Sequence, residues 1–218
     1  MSSSAAPTRS ILCFGDSNTW GSDPVTRSRF GPEIRWTGVL SATLGGGYEV
    51  IEEGLRGRTT VFDDPVLPGR NGSRYLLPCI LSHQPLDVVV IMLGTNDMKN
   101  RFGVSAIEIA LGVKQLVQIV RTVPLDGPID RAPKLLVVSP PALGHRQRPD
   151  SIANYLHADE KSRALGAAIG DLAGMLRVPF FNAANVVETG DIDGIHLPPL
   201  EHTKLGKAIA REIELLFD

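Results

Sequence analysis

The chain has 218 residues, enough for one domain with elaborated loops and a sizeable core but not for a second catalytic domain. With 43% apolar residues, 21% charged residues and a formal charge of −2, it does not have the composition of a polyanion binder, and no nucleic-acid partner is expected. The apolar block Ile11 to Phe14 is too short for a signal-peptide core or a membrane span, and two cysteines, Cys13 and Cys79, do not make a disulfide framework. A cytoplasmic protein with reduced thiols and no membrane partner is expected.

Residues 1–9 read as a flexible N-terminus and 10–218 as one domain. Ile11 to Phe14 is a short apolar strand that breaks into Gly15-Asp16-Ser17. A helix is predicted from about Trp36 to Leu44, then a strand from Tyr48 to Glu52. The stretch from Gly54 to Tyr75, rich in Gly, Arg, Asp and Pro, reads as a long loop. A third strand spans Asp87 to Leu93, and a helix follows from Val104 to Val123 with Ile107, Leu111, Val113, Val117 and Val120 as its apolar face. Lys134 to Ser139 is the fourth strand, Pro140 to Ile152 a second long loop, His157 to Leu176 a helix and Pro179 to Asn182 the fifth strand. The last helix, Glu201 to Phe217, sets Leu205, Ala208, Ile209, Ile213 and Leu216 on one stripe. Buried strands alternating with helices predict a three-layer α/β/α domain on a parallel sheet.

Polar residues gather where these strands end. Ser17 follows the first strand, Gly57 the second and Asn96 the third, while Asp193-Gly194-Ile195-His196 lies beyond the fifth. In a parallel sheet with right-handed crossovers those strand ends share one edge, where active sites form. Each cluster alone is ordinary: Gly-Asp-Ser is common turn chemistry, Asn96 fits an Asx turn, and His196 ahead of Pro198-Pro199 fits a helix start. Together they supply a nucleophile, an amide, an acid and a base, which independent turns do not explain. Ser17, His196 and Asp193 are therefore read as the nucleophile, base and orienting acid of a serine hydrolase. Three rivals fit less well. An α/β-hydrolase would place its serine in Gly-x-Ser-x-Gly, but Thr19 stands two residues after Ser17. A Mg²⁺-dependent phosphoryl-transfer enzyme built on Asp16 would need more carboxylates nearby. A non-catalytic flavodoxin-like binding module would not need a competent residue at every triad position.

Four blocks covering most of the chain resemble the SGNH hydrolases, also called GDSL-type esterases. They are Phe14-Gly15-Asp16-Ser17-Asn18-Thr19, Glu53-Gly54-Leu55-Arg56-Gly57-Arg58-Thr59-Thr60, Gly94-Thr95-Asn96-Asp97 and Asp193-Gly194-Ile195-His196. Arg35-Trp36-Thr37-Gly38, Ile51-Glu52-Glu53-Gly54-Leu55 and Ile91-Met92-Leu93 are similar to the arylesterase and acyltransferase branch, which includes perhydrolytic bacterial enzymes. The resemblance implies a flavodoxin-like five-stranded sheet in the order 2-1-3-4-5. It implies an oxyanion hole made by the Ser17 and Gly57 N–H groups and the Asn96 amide, and no cofactor. The implied activity is hydrolysis of short-chain or aryl esters through an acyl-enzyme, with acyl transfer to alcohols or peroxide; a carbohydrate or small-metabolite O-deacetylase is the alternative. A homo-oligomer with the long loops at its interfaces is also implied. Asn18 stands where the family name has Leu, a departure that bears on fine specificity rather than on chemistry.

Other polar and aromatic residues are read more plainly. Asp16 and Asp97 are acceptors that hold the reacting groups from behind or simple turn residues, and Thr95 is structural. Trp20 and Trp36 are pocket-wall candidates, although aromatic residues beside a strand end more often belong to the core, and Trp20, three residues from Ser17, is the better pocket candidate. His83, His145, His157 and His202 have no partner at ligand spacing and are assigned to the surface or to helix ends, and no metal site is expected. Arg56, Arg58, Arg70 and Arg74 load the second loop with positive charge, to pair with Asp63 and Asp64, to face a partner subunit or to stand in solvent.

Overall fold

Strand β1 (Arg9–Gly15) is buried from Ile11 onward, and each residue beyond that point alternates between two cores. Leu12 and Phe14 face one side of the sheet, Ile11 and Cys13 the other. The same alternation runs through β3 (Val88–Met92) and β4 (Lys134–Ser139), which explains why these strands read as unbroken apolar runs: both of their faces are covered. The computed structural model describes residues 8–125 and 131–218. With β2 (Tyr48–Gly54) and β5 (Phe180–Asn182) it forms one parallel sheet in the order β2-β1-β3-β4-β5.

Helices α2 (Trp36–Leu44) and α7 (Pro199–Leu215) cover one face of the sheet, with Trp36, Leu40, Leu205, Ile209 and Ile213 buried against Ile11, Val90 and Leu136. Helices α3 (Gly72–His83), α4 (Ala106–Arg121) and α6 (Asp159–Leu176) cover the other. Each fully buried aliphatic side chain in these layers contributes roughly 1.5–3 kcal/mol of transfer free energy. Two short helices complete the set: α1 (Ser17–Trp20) after β1 and α5 (Pro149–Asn154) after β4.

Several sequence expectations need correction. The two stretches read as loops each end in a helix, α3 from Gly72 and α5 from Pro149. Pro78 sits inside α3 and disguised it, because an interior proline removes a helical hydrogen bond; the start is instead marked by Asn71, whose side chain caps the Ser73 N–H. Pro149 is at the first position of α5, where proline suits a helix start. The apolar face of α4 is also rotated: Ile107 and Leu111 are 68% and 51% exposed, whereas Ile109, Val113, Leu116, Val117 and Val120 are buried. Ile107 lies more than half a turn round the helix from Ile109, so the two cannot share a face. Arg9, placed in the flexible terminus, already pairs with Tyr48 in the sheet; residues 1–7 lie outside the described residues. Among the described residues no helix is long and apolar enough to cross a membrane.

The strand register aligns the loops that carry the polar clusters. Gly15 is level with Gly54 on one side and with Met92 on the other, so the loops after β1, β2 and β3 leave the sheet from one line. The chain order reverses between β1 and β3, and that switch point opens a crevice at the carboxyl edge.

Candidate active site

Ser17 is the first residue of a four-residue helix squeezed against the end of β2. Asp16 caps that helix by accepting the Asn18 N–H at 3.0 Å, and Gly21, with φ of 86°, closes it by donating to the Ser17 carbonyl. A Cβ at Gly54 would come within 2.1 Å of the Trp20 nitrogen, so the end of β2 can approach α1 this closely only as glycine. At the first helical position the Ser17 N–H has no intrahelical acceptor and its hydroxyl faces the crevice.

The Asp193-to-His196 turn reaches that hydroxyl. Gly194, with φ of 64°, lets the chain fold back so that one Asp193 oxygen, Oδ1, accepts the N–H groups of both Ile195 and His196 at 3.0 Å. The other, Oδ2, lies 2.6 Å from His196 Nδ1, and His196 Nε2 lies 2.9 Å from Ser17 Oγ. Because an ionised carboxylate only accepts, Nδ1 carries the ring proton and Nε2 is free to take one from Ser17. Burial alone would raise the Asp193 carboxyl, but the hydrogen bond and charge of His196 and the two backbone N–H groups hold it below its ordinary value.

Asn18, the departure from the family pattern, grips the histidine segment from both sides: its Nδ2 donates to the Ile195 carbonyl at 3.1 Å, and its Oδ1 accepts the Leu197 N–H at 3.0 Å. Sequence reading missed this role, because the partners lie about 180 positions away. A buried amide in place of an aliphatic residue was the one signal that it needed partners.

Asn96 and Gly57 also reach the crevice. Asn96 Nδ2 donates to the Arg58 carbonyl at 3.1 Å and to Asp16 Oδ2 at 3.3 Å, while the buried Tyr155 hydroxyl lies 3.4 Å from its Oδ1. Asp16 is thus both cap and acceptor for the Asn96 amide, and burial raises its carboxyl. Asp97 turns the other way: its Oδ1 accepts both the N–H and the hydroxyl of Thr60, tying the β3 loop to the β2 loop. Burial, opposed by those hydrogen bonds, pushes Asp97 up to about 6. Arg58, expected on a charged loop, is instead buried, donating to the carbonyls of Gly15 and Glu53 and stacking over Phe14. Gly57 has φ of 83°, a backbone conformation in which a side chain is strained.

Ser17, Gly57, Asn96, Asp193 and His196 line a cavity of about 430 Å³, which also takes in Ser22, Lys99, Ser151 and Tyr155. Trp20 is not part of its lining; its ring lies under the guanidinium groups of Arg29 and Arg56. Trp36 is core, as expected. His83 and His202 stand near helix ends, as expected, but both have partners. His83 Nε2 lies 3.0 Å from Glu53 Oε1, and with Cys79 these donors fall within 4.8 Å of one another. Burial together with the Glu53 charge pushes the Cys79 thiol up to about 12. His202 is fully buried, accepting the Trp36 N–H at Nδ1, with burial and the charges of His196 and Arg35 lowering it to about 4.

The lowered His202 predicts an acid sensitivity. The folded chain holds this ring neutral, whereas the unfolded chain protonates it near its ordinary value of 6.5. Its contribution is therefore complete above pH 6.5 and is lost as pH falls toward 4, by on the order of 3 kcal/mol. His202→Asn keeps an acceptor for the Trp36 N–H and should flatten that part of the stability curve, read as chemical-denaturation midpoints at several pH values. A curve of unchanged slope would take His202 out of the acid response.

Residues 13–200 match the model of the GDSL-like lipase/acylhydrolase family. The chain belongs to this family. No curated protein matches it. Among solved structures it is similar to the aryl esterase of M. smegmatis, at 44% identity and a TM-score of 0.93, covering 96% of this chain and 100% of that one. It is likewise similar to a carbohydrate acetylesterase from Sinorhizobium meliloti, at 46% identity and a TM-score of 0.94 over 96% of this chain and 100% of the other. A second carbohydrate acetylesterase family member from that organism is 36% identical, with a TM-score of 0.92 over 96% and 99% of the two chains. The acylhydrolase chain is thus a carboxylic ester hydrolase with the α/β fold of its family, as the four sequence blocks implied.

Proposed function

We propose that residues 10–218 form one catalytic domain that hydrolyses short-chain or aryl carboxylic esters through an acyl-enzyme on Ser17. The observation that carries this reading is the unbroken chain of contacts from Asp193 Oδ2 through His196 to Ser17 Oγ, at 2.6 and 2.9 Å. His196 takes the Ser17 proton as Oγ attacks the ester carbonyl, then returns it to the leaving alcohol; water repeats the sequence on the acyl-enzyme. Asp193 holds the ring in the required tautomer and stabilises the imidazolium. The oxyanion is met by the N–H groups of Ser17 and Gly57 and by Asn96 Nδ2, whose long 3.3 Å contact to Asp16 is the one that a developing oxyanion replaces. Similarity to a carbohydrate acetylesterase supports O-deacetylation of sugars as the second reading.

Acyl transfer to alcohols or peroxide belongs to the same proposal, because any nucleophile that enters the cavity in place of water is activated by the same base. So does a homo-oligomer: Val25, on the segment between α1 and α2, and Val66, on the long loop after β2, are 63% and 66% exposed. The free thiols of Cys13 and Cys79 support a reducing, cytoplasmic location. A solution mass equal to the single chain of 23.5 kDa would exclude the oligomer.

The test is to mix p-nitrophenyl acetate with the chain and determine the intact and peptide mass before the reaction is complete. One acetyl group on the peptide containing Ser17, and ester formation when a primary alcohol is added, are expected; acetylation elsewhere removes Ser17 from the reaction. Asn96→Ala should lower kcat by roughly 10² to 10³ with the fold retained, the usual loss for one oxyanion donor. An undiminished rate would remove Asn96 from the mechanism.

A further inference from the structure

The catalytic cavity is more basic than ester hydrolysis requires. Arg27, Arg56, Arg70, Lys99 and Arg148 line it, against the carboxylates of Asp23, Asp150 and Asp193. Each of those carboxylates is already engaged. Asp150 pairs with Arg27 at 3.2 Å, Asp193 holds His196, and Asp23 accepts the Val25 N–H and the Thr26 hydroxyl with the charge of Arg148 beside it. Arg148 itself donates to the Val25 carbonyl. Arg70 likewise donates from Nη1 to the Pro68 carbonyl at 3.0 Å. Among the described residues, Arg56, Arg70, Lys99 and Arg148 take part in no ion pair, and Arg56, Arg70 and Lys99 are the three of these nearest the loops that carry Gly57 and Asn96 in the chain.

Their surroundings make that imbalance costly. Lys99 is 7% exposed, and lysine is rarely buried without a partner. Burial and the neighbouring Arg101 lower its ammonium to about 8, although Asp64, Asp16 and Asp97 act in the opposite sense. Among the described residues none of the three hydrogen-bonds Lys99: Asp64 binds Arg101 at 2.7 Å, Asp16 accepts from Asn18 and Asn96, and Asp97 accepts from Thr60 at Oδ1 while its buried Oδ2 has no partner. Arg70 carries a buried Nε with no acceptor, and a Cβ at Gly57 would lie 3.5 Å from that atom, so this guanidinium sits beside the loop that carries the proposed oxyanion N–H. Arg56, next to Gly57 in the chain, is exposed and rests on the Trp20 ring. Two cations beside one loop, and a third from the loop after β3, line the space where substrate must lie.

We propose that Lys99, Arg70 and Arg56 form an anion subsite in the catalytic cavity, and that the preferred substrates are esters that carry a carboxylate close to the scissile bond. This deepens the esterase reading and rests on it. The carboxylate accepts from the Arg70 guanidinium, whose Nη1 alone has an acceptor among the described residues, and from the Lys99 ammonium. Arg56, at the mouth, raises the encounter rate rather than fixing the bound pose.

Two matched pairs test this. Mono-p-nitrophenyl succinate against p-nitrophenyl butyrate places the charge on the acyl side; para-acetoxybenzoate against its methyl ester places it on the alcohol side. Each kcat/KM is divided by that ester's second-order rate constant with hydroxide, measured at high pH, because the succinate carboxylate assists its own hydrolysis in neutral buffer by forming the cyclic anhydride. In at least one pair the anionic ester should be favoured by roughly 10- to 100-fold, the size of one charge-assisted hydrogen bond, and salt should reduce the preference. Arg70→Met and Lys99→Met should each bring the ratio toward one; because it is taken within one protein, a general loss of activity or folding cancels. Calorimetric binding of para-hydroxybenzoate and its methyl ester to Ser17→Ala gives the same comparison without turnover. Ratios at or below one in both pairs, or ratios that neither variant changes, would overturn the subsite. Failure of the esterase reading looks different: neutral esters would be turned over regardless of Ser17, and the calorimetric preference would still decide the subsite.

Discussion

Ser17→Ala should lower kcat for p-nitrophenyl acetate by on the order of 10⁴ to 10⁶, leaving only the catalysis that binding and the oxyanion donors supply. The side chain accounts for this loss without a folding defect, because the one hydrogen bond of Ser17 Oγ among the described residues is to His196 Nε2. The backbone of α1 is held instead by the Asp16 cap and the Gly21 closure, neither of which the substitution touches. His196→Ala should cost nearly as much, and the double variant little more than either, since nucleophile and base act as one unit. Rates are to be measured on protein whose circular dichroism matches the unmodified chain. A Ser17→Ala rate within about tenfold of the unmodified rate would rule out the acyl-enzyme, because every step of it passes through that oxygen.

Asp193→Asn should cost roughly 10⁴ in kcat through a proton placed on the wrong nitrogen. Asp193 Oδ1 accepts two backbone N–H groups, and an asparagine oxygen placed there would keep the turn. Its amide would then face His196 Nδ1 as a donor, so Nδ1 becomes the acceptor and the ring proton moves to Nε2, where it blocks transfer from Ser17. The imidazole nitrogen resonances of His196 report the tautomer directly, independently of rate. A loss smaller than tenfold, or an Nδ1–H tautomer retained in the variant, would show that Asp193 acts only as a turn residue.

The split between what was legible in the chain and what was not matches the range of the interactions. The strands were readable because parallel strands covered on both faces must be continuous apolar runs, and Lys134–Ser139 appears with the predicted bounds. The Asp193–His196 contact was readable because the two stand three positions apart and one glycine turn closes the gap. The phase of α4 was not: Ile107 and Leu111 form a second apolar stripe, and periodicity alone does not say which stripe meets the sheet. The second loop shows the same limit with charge. Its four arginines looked alike in sequence, yet Arg74 pairs with Asp63 in solvent, Arg58 is buried, and Arg56 and Arg70 turn into the cavity. Asp64, a predicted partner for that loop, binds Arg101 instead.

By itself, then, the amino-acid sequence determined the layered α/β architecture, the strand ends at which polar clusters gather and the residues Ser17, Asp193 and His196 that meet there. Those features depend on burial of apolar runs and on hydrogen bonds within a few residues, both of which are written locally. The tertiary structure alone decided that Asn18 clamps the histidine segment, that Asp16 holds Asn96, that His202 is buried and neutral, and that three cations reach the cavity unpaired. A polar side chain can be satisfied by its own backbone, by water or by any segment the fold brings near, and only the packing of distant strands and loops selects among them.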